Sequence, residues 1–338
     1  MAAKRSDGRW PRRALRGLAF LLVAFIGVTV LWWAAGRITA DGRRLQVRSW
    51  RQAPITIPDT ATRIRIVTWN IAHGRGDVGP GLVRNFRGGS PEERGARLAR
   101  IASVLERADA DVVVLNEVDF ASTWSGGVNQ AEVLARAAGY GRWVEQRNYD
   151  LRFPFATFSF GNALLTRLPV EGASWVGIPP HSRLEALAAG GKGASAVRVE
   201  TRAGPITVVP VHLEYRSGET RRGAVPALDS LRAREAAPVI LAGDFNSAPA
   251  GWPGAEGRTA LGELLEMGWT SARAERGPSP GEWSFPTYDP DRAIDWVLVE
   301  PPLTVLEARV LAGPWELSDH APVLAVVRVG RKAPPSGP

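Results

Sequence analysis

Six apolar runs in this sequence have, at one end, a polar side chain that can bind a metal ion or a phosphate group. Apolar runs of roughly four to eight residues are typical of buried β-strands. The run VILAGDFN, 239–246, is the clearest example. Gly, Asp, Asn and Pro also favour turns, so a simple turn is the alternative interpretation of this run. The polar residues of the six runs are Asn70, Glu117, His212, Asp244, Asn246, Asp295, Asp319 and His320.

Each of these polar residues also has a purely structural interpretation. Asn70, for example, could simply form hydrogen bonds at the end of its strand. The histidines are more informative, because the chain contains only four of them. His73 and His181 fall in predicted loops, whereas His212 and His320 adjoin apolar runs.

Predicted helices and strands interleave along the chain. Apolar residues at helical spacing predict helices at 90–108, 129–138, 227–236 and 261–267. The first of these begins with SPEE, a capping box that also has proline at the first helical position. Alternating or continuous apolar residues predict strands at 62–70, 112–115, 162–165, 196–200, 206–212, 239–243, 296–299 and 323–329. This order indicates an α/β or α+β fold.

The run Leu18 to Gly36 contains 19 residues and no charged side chain. As a helix it would be roughly 28 Å long, which matches the hydrocarbon core of a bilayer. Six Lys and Arg residues precede it, and Trp32 and Trp33 lie at its far end, where aromatic rings favour the membrane interface. We therefore expect a single-pass anchor with a cytoplasmic N-terminus and the rest of the chain on the outer side.

Two alternatives exist for this apolar run. It could be the buried core helix of a globular domain. It could also be a cleaved signal peptide, since Ile38-Thr39-Ala40 resembles a small-residue cleavage site, and an exported soluble protein would then result.

The expected division of the chain follows from these patterns. Residues 1–17 form a basic tail, 18–36 the membrane helix or signal anchor, and 37–61 a polar, Pro-containing linker. Residues 62–330 form the globular domain that contains all the candidate site residues, and 331–338 a flexible tail. We expect the protein to be a monomer.

Composition narrows the possible chemistry. The chain has no cysteine, which excludes disulfides, Cys-ligated zinc and cysteine nucleophiles. The formal net charge is +8, but +5 of it lies within the first 16 residues, so only +3 remains for the rest. A mildly basic globular part gives little support for binding duplex nucleic acid.

The segment GRGDVG, 74–79, fits the dinucleotide-binding pattern GxGxxG. That pattern requires a helix directly after the glycines, whereas Pro80 and Gly81 follow here. We interpret the segment as a glycine-rich loop beside a site and expect no nucleotide cofactor. The P-loop, HExxH and GxSxG patterns are absent from the sequence.

Seven motifs in order resemble the endonuclease/exonuclease/phosphatase superfamily, which includes deoxyribonuclease I-like and exonuclease III-like enzymes, inositol polyphosphate phosphatases and neutral sphingomyelinases. The resemblance covers about residues 62–329 and implies a four-layer sandwich, in which two packed mixed β-sheets are flanked by helices and the site lies at the strand ends on one rim. The motifs are TWN (68–70), NEVD (116–119), GNALLT (161–166), VHLE (211–214), GDFN (243–246), IDWV (294–297) and SDHAPV (318–323).

The resemblance also implies a metal ion. Glu117 is the expected principal ligand of Mg²⁺ or Mn²⁺, Asn70 lies close to the metal and the phosphate, and Asp319 adds a second metal contact. Such hard cations prefer oxygen ligands and need only one or two protein carboxylates.

Catalytic roles follow from the same resemblance. Asp244 orients and deprotonates the attacking water, and Asn246 holds the phosphate or the water. In an extended segment residues i and i+2 face one side, so Asp244 and Asn246 are expected to project together. His320 donates to the scissile phosphate, and Asp295 orients its ring and favours the imidazolium form.

The remaining expected contacts are made with the phosphate or its leaving group. His212 assists the leaving group or binds a phosphoryl oxygen, and Asn162 contacts the phosphate. Tyr149 receives no role, and Lys192 is interpreted as a solvated loop lysine.

The implied function is hydrolysis of a phosphoric ester, with a phosphodiesterase as the main hypothesis. Nucleic acid, phospholipid and inositol phosphate are all possible substrates, because the fold and the core site do not choose among them. The alternative is a catalytically silent, membrane-tethered binding or scaffold module of the same fold.

Overall fold

The computed structural model describes residues 9–50, 62–76, 88–255, 257–312 and 315–330. Parts of several predicted segments lie outside these residues: the start of the basic tail, much of the linker, most of the glycine-rich loop and the C-terminal tail. The helices in the described ranges are α1 (Arg9–Ile38), α2 (Ala40–Arg43), α3 (Pro91–Ala108), α4 (Gln130–Ala137), α5 (Arg183–Ala188), α6 (Gly218–Asp229), α7 (Leu231–Arg234), α8 (Ala260–Glu266) and α9 (Ala272–Arg276).

Two mixed β-sheets form the centre of the domain. The larger has the strand order β1-β4-β5-β3-β2-β12-β11, and the smaller has the order β10-β9-β8-β7-β6. One strand pair in each sheet, β2 with β3 and β8 with β9, is parallel, and the other pairs are antiparallel. The strands are β1 (Leu45–Ser49), β2 (Arg63–Asn70), β3 (Val112–Asp119), β4 (Arg142–Arg152), β5 (Thr157–Thr166), β6 (Val170–Gly177), β7 (Gly193–Thr201), β8 (Gly204–His212), β9 (Val239–Asp244), β10 (Asp295–Val299), β11 (Thr304–Val310) and β12 (Val323–Arg328).

Each sheet has apolar side chains on both of its faces, so it packs against the other sheet on one side and against helices on the other. Ile66 and Val114 of the larger sheet pack against residues such as Ile240 of the smaller sheet in a core between the two. The outer face of the larger sheet packs against α3 and α4, and that of the smaller sheet against α6 and α8. The predicted sandwich of two mixed sheets flanked by helices is confirmed.

Both hydrogen bonds of the predicted capping box are present at the start of α3. The Ser90 hydroxyl accepts a hydrogen bond from the Glu93 amide at 3.3 Å, and the Ser90 amide donates to the Glu93 carboxylate at 2.7 Å. Pro91 occupies the first helical turn. The helix ends where Asp109 adopts a left-handed conformation with φ of 47°.

Two predicted segments differ from the structure. The expected linker contains β1, which pairs with β4 and forms an edge of the larger sheet. The helix predicted at 227–236 begins earlier, because the Ser217 side chain caps α6 by accepting from the Thr220 amide at 3.1 Å. Pro226 lies inside this helix, where a proline is usually unfavourable.

Helix α1 contains the predicted apolar run. Within the described residues, Ala14–Ile38 is the one helix that is long and apolar enough to cross a membrane, and its most apolar window is not buried against the rest of the chain. The interpretation as a core helix is therefore wrong. Length and composition fit both a membrane span and a signal sequence.

Candidate active site

The ends of the central strands bring most of the predicted site residues to one rim of the sandwich. His212 pairs in register with Asp244 across β8 and β9, and Asp244 pairs with Asp295 across β9 and β10. In the other sheet, Asn70 pairs with Asn116 across β2 and β3. A cavity of about 820 Å³ opens here, and its lining includes Glu117, His212, Asp244, Asn246, Asp319 and His320.

Asp244 lies at the centre of the site and is almost completely buried. Its Oδ2 accepts a hydrogen bond from Asn70 Nδ2 at 3.1 Å. The same oxygen lies 3.6 Å from His212 Nε2 and 3.8 Å from His320 Nε2. Burial raises the pKa of Asp244 above the usual range, while the neighbouring His320 acts in the opposite direction. One carboxylate oxygen thus faces both histidines.

Asn246 reaches the cavity through a turn and not through an extended strand. Strand β9 ends at Asp244, and Asn246 has a left-handed φ of 47°. The Asn246 amide donates to Asp244 Oδ1 at 2.8 Å, and its side chain donates to the Leu213 carbonyl at 3.1 Å. Phe245 points into the core. Asp244 and Asn246 therefore line one cavity as expected, but the reason given from strand geometry is wrong.

His320 and Asp295 form a buried pair. His320 Nδ1 lies 2.9 Å from Asp295 Oδ2, and this carboxylate also accepts from the Ser284 hydroxyl at 2.7 Å. Burial alone would lower the pKa of His320, but the charges of Asp295 and Asp244 outweigh it and raise that pKa to about 10. His320 is therefore an imidazolium at neutral pH, with Nε2 directed toward Asp244.

His212 has the opposite protonation state. Burial and the nearby charge of Lys192 lower the pKa of His212 to about 4, against the attraction of Asp244. Lys192 is not a solvated loop residue, as interpreted from the sequence. It lines the cavity, and its Nζ donates to the Leu213 carbonyl at 2.5 Å. The site thus combines one charged and one neutral histidine.

Asn162 is not among the residues that line the cavity, and its expected contact with the phosphate stays a prediction. It is fully buried, and its Oδ1 accepts from Asn116 Nδ2 at 2.9 Å. Asn116 in turn accepts from the Asp244 amide at 2.9 Å and donates to the Val211 carbonyl at 3.0 Å. Asn116 received no role from the sequence, although it belongs to the NEVD motif.

Asn70 also contacts protein groups at both ends of its side chain. Its Nδ2 donates to Asp244, and its Oδ1 accepts from the Ala72 amide at 3.0 Å. These bonds fix the position of the Asp244 carboxylate. Asn70 thus positions Asp244 in this structure, and its expected contacts with a metal and a substrate stay predictions.

Glu117 and Asp319 lie on either side of a buried arginine. Arg75 Nη1 lies 3.3 Å from Glu117 Oε2, and Arg75 Nη2 lies 3.0 Å from Asp319 Oδ2. His73 Nε2 also lies 3.3 Å from Glu117 Oε2, while its Nδ1 lies 2.8 Å from Asp119. Neither His73 nor Arg75 received a role from the sequence. Their position soon after β2, beside and within the glycine-rich loop, was the available signal.

Among the described residues, Asp244, Asp295 and His320 also form a group that could hold a metal ion, with ligand atoms within 4.8 Å of one another. Their hydrogen bonding argues against this use. His320 Nδ1 is already bonded to Asp295, and a protonated imidazole cannot bind a metal.

Comparison with known proteins decides the family. The model of the Endonuclease/Exonuclease/phosphatase family matches residues 67–320. This protein belongs to the Endonuclease/Exonuclease/phosphatase family. No curated protein sequence gives a significant match. Members of this family are mostly hydrolytic phosphoesterases and include phosphatases and nucleases.

Several solved structures have a similar fold. An endonuclease/exonuclease/phosphatase from Beutenbergia cavernae is 25% identical, covers 80% of this chain and 72% of its own, and has a TM-score of 0.60. The human Nocturnin catalytic domain with a bound sulfate anion is 16% identical, with coverages of 85% and 98% and a TM-score of 0.55. A mannosyl-6-phosphatase from Bacteroides thetaiotaomicron is 16% identical, with coverages of 78% and 99% and a TM-score of 0.53.

The outer part of the cavity in this family member is built from β4, β5 and α5. The Tyr149 hydroxyl donates to Glu185 at 2.6 Å, and its ring stacks on Phe160 with centroids 4.8 Å apart. Arg216 pairs with both Glu185 and Glu214 at 3.0 and 2.8 Å. These residues form a polar and aromatic wall of the cavity, and among them only Glu214 belongs to one of the sequence motifs.

Proposed function

We propose that this protein is a divalent-metal-dependent phosphodiesterase in which Asp244 activates the attacking water. The observation that carries the proposal is the shared oxygen, Asp244 Oδ2, which lies within 3.8 Å of both His212 and His320. In this arrangement the buried carboxylate can accept a proton, and the two imidazoles, one charged and one neutral, can donate. All three groups lie next to the same reacting position.

The raised pKa of Asp244 suits a general base, because a carboxylate that holds a proton more tightly accepts one more readily from water. Asn246 presents its side chain to the same cavity and orients the water or a phosphoryl oxygen. In the reaction, the water oxygen attacks phosphorus, the bond between phosphorus and one ester oxygen breaks, and that oxygen leaves as an alcohol after gaining a proton.

Charge on the phosphoryl oxygens is stabilised by His320. Its imidazolium, held by Asp295, supplies a donor that needs no reorganisation during the reaction. His212 is neutral, so it assists at the leaving oxygen or binds a phosphoryl oxygen without adding a second positive charge.

A divalent cation fits the acidic side of the cavity. The lining contains five carboxylates, from Glu117, Glu185, Glu214, Asp244 and Asp319, against three Lys or Arg side chains. This excess of carboxylates would repel an anionic phosphate unless a further cation were bound. Glu117 and Asp319 already face one cation, Arg75, and their oxygens are of the kind that Mg²⁺ or Mn²⁺ prefers. The bound ion would act as a Lewis acid toward the phosphoryl group.

We further propose that α1 anchors the protein, with a cytoplasmic N-terminus and the catalytic domain on the outer side. The cationic N-terminal flank and the Trp pair at the far end of the apolar run support this orientation. Cleavage of α1 as a signal sequence would instead give an exported protein.

Hydrolysis of bis(p-nitrophenyl) phosphate by the full-length protein in detergent tests the proposal. We expect release of p-nitrophenol with Mg²⁺ or Mn²⁺, loss of release with EDTA, and recovery when the ion is restored. Metal-independent turnover, or no turnover of this or any natural phosphate ester, would contradict the proposed function.

A further inference from the structure

The anchor helix is attached directly to one wall of the cavity. Trp33 Nε1 donates to the Ala188 carbonyl of α5 at 2.9 Å. The Arg37 side chain donates to the carbonyls of Leu187 and Ala186 at 3.2 and 3.3 Å. These bonds fix the C-terminal end of α5 at the level where the apolar run of α1 ends.

The turn between β4 and β5 runs along the apolar part of α1. Gly36 of α1 lies against the Arg152 side chain, and further toward the N-terminus the ring of Phe25 stacks on Phe155 with centroids 6.0 Å apart. Phe155 stacks in turn on Phe153 at 5.9 Å, yet its surface is 63% exposed. The exposed Phe155 ring therefore extends the apolar surface of α1 onto the turn.

The position along α1 gives the depth of this turn. Phe25 precedes Gly36 by 11 residues, which corresponds to roughly 16 Å of helix. If α1 spans a bilayer, the turn lies in the hydrocarbon region. The turn satisfies one pair of its backbone groups internally, because the Phe153 amide donates to the Ala156 carbonyl at 2.8 Å.

Helix α5 continues the same apolar surface up to the cavity. Leu184 and Leu187 are 77% and 71% exposed. Between them, Glu185 lines the cavity and accepts from Tyr149. One turn of helix therefore has leucines on the outside and a cavity residue on the inside.

Arginines surround this surface at the level of Gly36. Arg43 and Arg152 both pair with Asp150, at 2.7 and 3.1 Å, and Arg37 bonds its carbonyl. Three arginines around one carboxylate leave a net positive charge where lipid head groups would lie. Long cationic side chains of this kind stabilise proteins at an anionic membrane surface.

We infer that the substrate of this enzyme is a phosphate ester in the head group of a membrane lipid. The lipid ledge, which we define as residues 153–156 together with Leu184 and Leu187, enters the bilayer beside α1 and holds the mouth of the cavity at the head-group level. This inference rests on the proposed function. The apolar ledge beside the cavity favours a lipid over a nucleic acid strand.

Fluorescence quenching tests the depth of the ledge without any enzyme assay. The native chain has no cysteine, so single-cysteine variants of the full-length protein can be labelled uniquely. We expect a fluorophore at Phe155→Cys in phosphatidylcholine–phosphatidylglycerol nanodiscs to be quenched strongly by nitroxides on the lipid acyl chains. A label at Met267→Cys, an exposed position directly after α8 and outside the ledge, should not be quenched. Equal weak quenching at both positions would overturn the inference.

Activity measurements with the same nanodiscs test the substrate class. We expect Phe155→Asp to lower hydrolysis of the lipid head-group ester at least tenfold while bis(p-nitrophenyl) phosphate hydrolysis stays within about twofold, and Met267→Asp to change neither. Two results would overturn the lipid inference, provided that the wild type hydrolyses the soluble ester. One is no turnover of phosphatidylcholine, phosphatidylglycerol, phosphatidylinositol or sphingomyelin. The other is preferred cleavage of plasmid DNA or RNA. Failure of the wild type on every ester would instead overturn the proposed function.

Discussion

His320 Nδ1 lies 2.9 Å from the Asp295 carboxylate, which is completely enclosed by protein. The contact holds the imidazole ring in one orientation and keeps it charged. It leaves Nε2 directed toward Asp244, the proposed general base. The charge of His320 at neutral pH thus depends on a residue that does not itself line the cavity.

Replacing Asp295 with Asn should shift the pH dependence of catalysis. The Asp295 charge, which most strongly opposes the effect of burial, would be lost, so the pKa of His320 should fall from about 10. We expect the alkaline limb of the kcat/KM profile to move to lower pH, in parallel with the His320 resonance in an NMR titration. Asp291→Asn, at an exposed position, is the control. An unchanged alkaline limb in Asp295→Asn would contradict the role of the pair.

The same pair predicts a pH dependence of stability. The pKa of His320 is about 10 in the folded protein, compared with about 6.5 when unfolded. Its stabilising effect is therefore fully present below about pH 6.5 and is lost as the pH rises through 10. The difference in unfolding free energy between wild type and Asp295→Asn should shrink over that interval. Denaturant titrations at several pH values would measure it, and a difference that grows with pH would be inconsistent with the account.

Substitution of Asn116 with Ala should reduce activity through the position of Asp244. The variant loses the bond to the Asp244 amide and leaves buried groups without a partner, at a cost of about 1–3 kcal/mol. We expect kcat to fall at least tenfold with little change in KM. Asn129→Ala, which removes the cap of α4, should cost about 1 kcal/mol and leave kcat unchanged. Equal kcat values for the two variants would show that Asn116 acts on stability alone.

The polar residues at the ends of apolar runs were sufficient to predict most of the side chains that meet at the rim. They did not predict the hydrogen bonds that hold these side chains in place. The roles of Asn116, Asn162 and Arg75 depend on tertiary contacts with residues that lie far away in the sequence. Strand β3 has an irregularity between Leu115 and Val118, and Glu117 there has a left-handed φ of 51°. A local distortion of this kind leaves no periodic signal in the sequence.

Three of the four strands that the sequence did not predict were missed for the same physical reason. β1, β6 and β11 are edge strands with mixed burial, so none of them has a continuous apolar run. β4 is different, because it buries polar residues such as Gln146 and Asn148, which bond to each other at 3.0 Å. Buried polar pairs look like surface residues in a hydropathy pattern.

Glu117 and Asp319 should determine metal affinity. Removing one carboxylate charge, in Glu117→Gln or Asp319→Asn, weakens the attraction for a divalent cation and should raise the Mn²⁺ dissociation constant about tenfold or more. Electron paramagnetic resonance of free Mn²⁺ measures this without turnover. Glu316→Gln, an exposed neighbour, should bind Mn²⁺ like the wild type. Wild-type affinity in both site variants would place the metal elsewhere.

The central claim is that Asp244 activates water for attack on a phosphate ester. Its most direct test is the rate of bis(p-nitrophenyl) phosphate hydrolysis by Asp244→Asn at saturating Mg²⁺, with folding checked by circular dichroism. The amide keeps the shape of the side chain but cannot accept a proton, so we predict a fall in kcat of about 10²–10⁴-fold in a folded protein. A folded Asp244→Asn variant with kcat within about threefold of the wild type would contradict the mechanism.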